Sequence, residues 1–99
     1  MSKEQISKLI KQSIAEGPYV GYIQRVSLFG SQLHGNTHTA SDVDLLVEFA
    51  QPVGLFTVAE IEDYFTRKLN LKVDLVTPNS LSKYIRDEVV SEAQCVYEK

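Results

Sequence analysis

Ser41-Asp42-Val43-Asp44-Leu45-Leu46-Val47-Glu48-Phe49 is the stretch whose reading decides the fold. In an extended chain successive side chains point to opposite faces, so Val43, Leu45 and Val47 form one apolar row while Asp42 and Asp44 project together on the other side. The apolar row needs a core to cover it, and this predicts a strand from Asp42 to Phe49. Two carboxylates held side by side repel, so the arrangement is costly unless something offsets the charge. Mg²⁺ takes oxygen ligands from one or two carboxylates plus substrate phosphates, which suits this pair to a metal that travels with a nucleotide.

Working outward, Ile23 to Phe29 is β-branched and aromatic and predicts an earlier strand, broken by Gly30-Ser31. Gln32 to Ser41 is polar and reads as a loop after at most a short helical turn, and connections of that length in so short a chain are more often functional than idle. Gly30 lets backbone approach a phosphate, and the Ser31 hydroxyl with the amides that follow it are donors for phosphate oxygens. Further upstream, Ser2 with Gln5 is a capping-box pattern. Ile6, Leu9, Ile10 and Ile14 then recur at helical spacing up to the stop signal Gly17-Pro18.

Downstream, Gln51 to Gly54 closes the deciding strand. Thr57 with Glu60 is a second capping-box candidate, Val58, Ile61, Tyr64, Phe65 and Leu69 share a helical face, and Asn70 is a C-cap. Lys72 to Val76 predicts a short strand with Val73 and Leu75 inward and Asp74 on the other face. Beyond Pro78, Ser80 is expected to cap a last helix to about Glu92 that turns Leu81, Tyr84, Ile85 and Val89 inward. The expectation is an α/β (α+β) fold over residues 1–99 as a single domain: a small mixed sheet of about three main strands with helices on one face. If the strand at Lys72 pairs with the strand at Asp42, then Asp42, Asp44 and Asp74 share one face. Three such groups can hold two metal ions about 4 Å apart for displacement at phosphorus.

Composition limits the rest. With 99 residues, 10 Lys plus Arg against 13 Asp plus Glu and a net charge of -3, the chain lacks the basic cluster that stable nucleic-acid binding requires. Its apolar runs are far shorter than the roughly 20 residues of a membrane span, and Met1 to Lys11 lacks the apolar core of a signal peptide. A single cysteine, Cys95, fits a reducing compartment, so a cytoplasmic location is expected, with Cys95 itself buried in the tail. His34 and His38 have a spacing that could ligate zinc on a helix, but Gly35 and Asn36 between them argue against one. Ser31 has no companion base that would make it a nucleophile. Glu60, Glu62 and Asp63 read as a solvated helix face. Of the five tyrosines, Tyr19 and Tyr22 flank Gly21 and are candidates for exposure.

Taken together, Phe29-Gly30-Ser31, Gly35 and Ser41-Asp42-Val43-Asp44-Leu45-Leu46-Val47 resemble the signature of the DNA polymerase beta-like nucleotidyltransferase superfamily, and the length resembles its minimal branch. The tail from Leu81 to Tyr97 is also similar to those small proteins. The resemblance implies that Asp42 and Asp44 bind metal, two Mg²⁺ ions in all, and that Asp74 completes the triad and acts as general base. It implies that Gly30 and Ser31 hold the triphosphate of ATP, and that AMP is transferred to a hydroxyl. It further implies an antitoxin role beside a helical HEPN toxin, a ribonuclease, silenced by adenylylation of a tyrosine. Many relatives carry a basic residue where this chain has Gln32 and His34, and a small residue where it has Leu33. Two alternatives stay open at this point: an antitoxin that only occludes its toxin, and a transferase acting on a small molecule such as an antibiotic, its acceptor surface supplied by an oligomer. Few residues follow the third strand, so a protein acceptor is expected to arrive on another chain, in a homo- or hetero-oligomer.

Overall fold

Ser2 opens helix α1 (Lys3–Glu16) through the predicted reciprocal cap: its hydroxyl accepts from the Gln5 amide at 3.2 Å, and the Gln5 side chain accepts from the Ser2 amide at 2.8 Å. The computed structural model describes residues 2–30 and 43–99. After α1 come strand β1 (Ile23–Phe29), strand β2 (Val43–Phe49), helix α2 (Leu55–Leu69), strand β3 (Val73–Val76), a 3-10 turn (Pro78–Ser80), helix α3 (Lys83–Glu92) and strand β4 (Gln94–Glu98). The strands form one sheet in the order β3-β2-β1-β4, with β2 and β3 parallel and the other pairs antiparallel.

The helical and strand periodicities meet in one core. Ile6, Ile10 and Ile14 from α1 and Ile61, Phe65 and Leu69 from α2 pack on Val26, Leu28, Val43, Leu45, Val47, Val73 and Leu75. Burial of each such side chain contributes roughly 1.5–3 kcal/mol, so this face of the sheet holds the fold together. Asn70 ends α2 in the left-handed conformation (φ 55°), as its C-cap position predicted. Tyr64 clasps the two helices: its hydroxyl donates to the Ser13 carbonyl at 2.6 Å, and its ring meets Tyr19 edge-on at 5.3 Å. A side chain at Gly17 would overlap that hydroxyl, so the glycine makes room for the clasp. Burial, and then the charge of Glu16, push the Tyr64 phenol above its ordinary pKa.

Several expectations are corrected. The sheet has a fourth strand where only a tail was expected, because β4 pairs with β1, with Arg25 opposite Glu98. Arg25 also bridges Glu98 at 3.2 Å and Glu48 at 3.4 Å across three strands. Cys95 is therefore an exposed residue of an edge strand and not a buried one. Helix α2 begins at Leu55 behind Gly54 with no side-chain cap, so Thr57 is inside the helix. Ser80 closes the 3-10 turn, and the last helix starts after Ser82. That helix has no buried residue, and Tyr84, expected inward, is 91% exposed. Glu62 is not a solvated face residue. Its carboxylate accepts the Leu75 amide at 2.8 Å, and Thr66 accepts the Val73 amide at 3.2 Å, so α2 occupies outward donors of the edge strand β3. Asp63 does face solvent, paired with Arg67 at 3.1 Å. Among the described residues no helix is long and apolar enough to cross a membrane.

Candidate active site

The parallel register of β2 and β3 sets Val43 opposite Val73, Asp44 opposite Asp74 and Leu45 opposite Leu75. The valines and leucines are core residues, so the two aspartates lie on the opposite face as direct cross-strand neighbours, each half-buried. The conditional pairing drawn from the sequence is thus the one observed. Strands pair at about 5 Å, and two charges at that separation repel by roughly 3 kcal/mol at an effective dielectric near 20. Such a pair suits a face where a cation is to be held.

Gly30 closes the site from β1. Phe29 pairs with Asp44, and the chain then turns through φ +78° at Gly30, a region that side chains disfavour. A Cβ at Gly30 would overlap the Asp44 carboxylate. The glycine is therefore required twice, once for its backbone angle and once for the closeness of the carboxylate. The second requirement depends on the long-range register of β1 and β2, so the local sequence carried no sign of it.

Asp42 and Ser31 lie outside the described residues, as do Gln32, His34 and His38. Among the described residues no group of three His, Cys, Asp or Glu side chains is gathered for a metal. Asp44 and Asp74 offer two hard oxygen donors from adjacent strands, which fits Mg²⁺ chemistry and not that of a thiolate or imidazole site. A groove at the other end of β2, lined by Phe49, Pro52, Leu55 and Pro78, carries one carboxylate, Glu48, already bound by Arg25. Gly30, Asp44 and Asp74 are the described members of the candidate site.

Comparison with known proteins agrees with this geometry. Residues 4–99 match the family described as Polymerase beta, Nucleotidyltransferase. The protein adenylyltransferase MntA of Thermococcus cleftensis is 37% identical over 70 residues, which cover 71% of this chain and 71% of that protein. A solved structure assigned as a minimal nucleotidyltransferase is similar with a TM-score of 0.77 and 28% identity, covering 94% of each chain. A chain in a toxin-antitoxin crystal structure with AMP-PNP has a TM-score of 0.72 and 26% identity, covering all of this chain and 75% of that one. With residues 4–99 matched and the aspartates paired on parallel strands, the chain belongs to the polymerase beta nucleotidyltransferase family, in its minimal protein adenylyltransferase branch.

Proposed function

We propose that this enzyme transfers AMP from ATP, with Mg²⁺, to a tyrosine hydroxyl of a HEPN-family ribonuclease toxin, and that it acts in the cytoplasm as the antitoxin of that partner. The observation that carries the reading is the facing pair Asp44 and Asp74 with Gly30 pressed against Asp44. The similarity to a protein adenylyltransferase, and to a chain of a toxin-antitoxin structure with AMP-PNP, supports the choice of nucleotide and partner.

In this reading Gly30 and Ser31 bind the triphosphate through backbone amides and a hydroxyl. Asp42, Asp44 and Asp74 are the residues that would hold Mg²⁺, which when bound supplies positive charge against the reacting phosphate. Asp74 acts as general base and receives the proton of the acceptor hydroxyl. The acceptor oxygen forms a bond to the α-phosphorus, the bond from that phosphorus to the bridging oxygen breaks, and pyrophosphate leaves with the electron pair.

The test is incubation with labelled ATP, Mg²⁺ and the product of the adjacent gene, beside an Asp42→Asn, Asp44→Asn variant. Label is expected on the partner with the wild type alone. A double variant that protects cells from the toxin as well as the wild type does would replace catalysis by occlusion. Label appearing on a small acceptor and not on the partner would favour a small-molecule transferase.

A further inference from the structure

We propose that Lys72 is a substrate-binding residue of this site, whose ammonium holds the β- and γ-phosphates of the nucleotide and takes up the charge of the departing pyrophosphate. The assignment rests on the nucleotidyltransferase reading above and adds a residue to it.

The geometry comes from the start of β3. The Lys72 carbonyl accepts the Val43 amide at 2.8 Å, so the β2–β3 ladder and its alternation extend through Lys72. Leu71 packs against the core and Val73 and Leu75 are buried in it, so Lys72 shares the opposite face with Asp74. It is exposed, and two positions along a strand are about 6.6 Å apart, within the reach of a lysine side chain.

Charge supply makes the second argument. A triphosphate is a polyanion, and it approaches a face that already carries Asp44 and Asp74. The stretch that follows Gly30, residues 31–42, contains no lysine or arginine. Arg25 shares the open face but is bridged by Glu48 and Glu98, four residues along β1 from the Asp44 pairing position. The remaining described cations belong to α1, α2, α3 and Lys99. Lys72 immediately precedes the strand that bears Asp74, and an ammonium is a compact charge suited to non-bridging phosphate oxygens.

The test compares ATP with AMP, because AMP lacks the phosphates assigned to Lys72. Binding of each is titrated in Mg²⁺ for wild type, Lys72→Met and Lys72→Arg, with thermal melts alongside. Lys72→Met is expected to weaken ATP about 10- to 100-fold and leave AMP within about twofold, and Lys72→Arg to recover most of the loss. Transfer by Lys72→Met should show a raised KM for ATP. Equal ATP affinity in wild type and Lys72→Met, or an equal loss for AMP and ATP, would overturn the Lys72 assignment alone. Failure of the wild type to bind ATP would overturn the functional reading and this assignment with it.

Discussion

Replacing Gly30 by alanine separates two demands that the structure places on one residue. The backbone demand is φ +78°, and a side chain in the left-handed region costs roughly 1–2 kcal/mol. For a domain of this length that lowers the melting temperature by about 5–15 °C. The second demand is space: the new Cβ would occupy the position of the Asp44 carboxylate, which must swing away from its place opposite Asp74. A reacting group misplaced by about 1 Å loses on the order of 100-fold in rate. Melting curves and a transfer assay run below the variant's melting range read the two effects independently. Gly21→Ala is the control, because nothing lies within reach of a Cβ there, and its stability should change by less than about 0.5 kcal/mol. A Gly30→Ala enzyme that melts early but transfers at the wild-type rate would refute the idea that Gly30 sets the carboxylate. A Gly30→Ala protein as stable as Gly21→Ala would refute the backbone argument.

Substitutions at three other positions test the frame around the site. Tyr64→Phe removes the 2.6 Å bond to the Ser13 carbonyl and should cost about 1 kcal/mol in urea unfolding at neutral pH. The folded Tyr64 phenol is raised, by burial first and Glu16 second, so the folded state holds its proton more tightly than the unfolded one. Its contribution is complete below the ordinary pKa near 10 and is lost as pH rises through the folded value. Unfolding at neutral pH and above pH 10 should therefore show a steeper alkaline decline in the wild type than in Tyr64→Phe, and parallel declines would contradict this. Glu62→Ala strips the Leu75 amide of its acceptor and should cost about 1–2 kcal/mol, with faster exchange of that amide, while Glu62→Gln keeps most of the bond. Asp63→Ala, one residue on, breaks only an exposed pair with Arg67 and should stay within about 0.5 kcal/mol of wild type.

What was legible in the sequence was whatever short-range pattern dictates. Ser2 with Gln5, Asn70 and the alternation around Asp44 and Asp74 each act within a few residues, and all appear as expected. What was missed depends on partners distant along the chain. Strand β4 has one buried residue, Val96, and becomes a strand through pairing with β1, far upstream. Tyr84, Ile85 and Val89 have the spacing of a buried stripe, but spacing alone cannot supply a surface to bury it against, and α3 buries nothing. Glu62 looked like one of several solvated acids until β3 brought the Leu75 amide to it. At the candidate site, the shared face of Asp44 and Asp74 followed from alternation, whereas the closeness of Gly30 to Asp44 needed the register of β1 on β2.

The pairing of Arg25 with Glu98 ties β1 to a segment far along the chain. The unit β2, α2, β3 closes over a short stretch of chain and already aligns Asp44 with Asp74, whereas β1 gains its second neighbour only when the far end of the chain returns to it. Contacts that close long loops form late. A molecule that lacks β4 would carry a bare edge along Ile23–Phe29, where Ile23, Val26, Leu28 and Phe29 are interleaved with polar residues and the backbone is open to the strands of other molecules. Weakening β4 should thus be felt first as aggregation during refolding, before any loss in the geometry of the carboxylates.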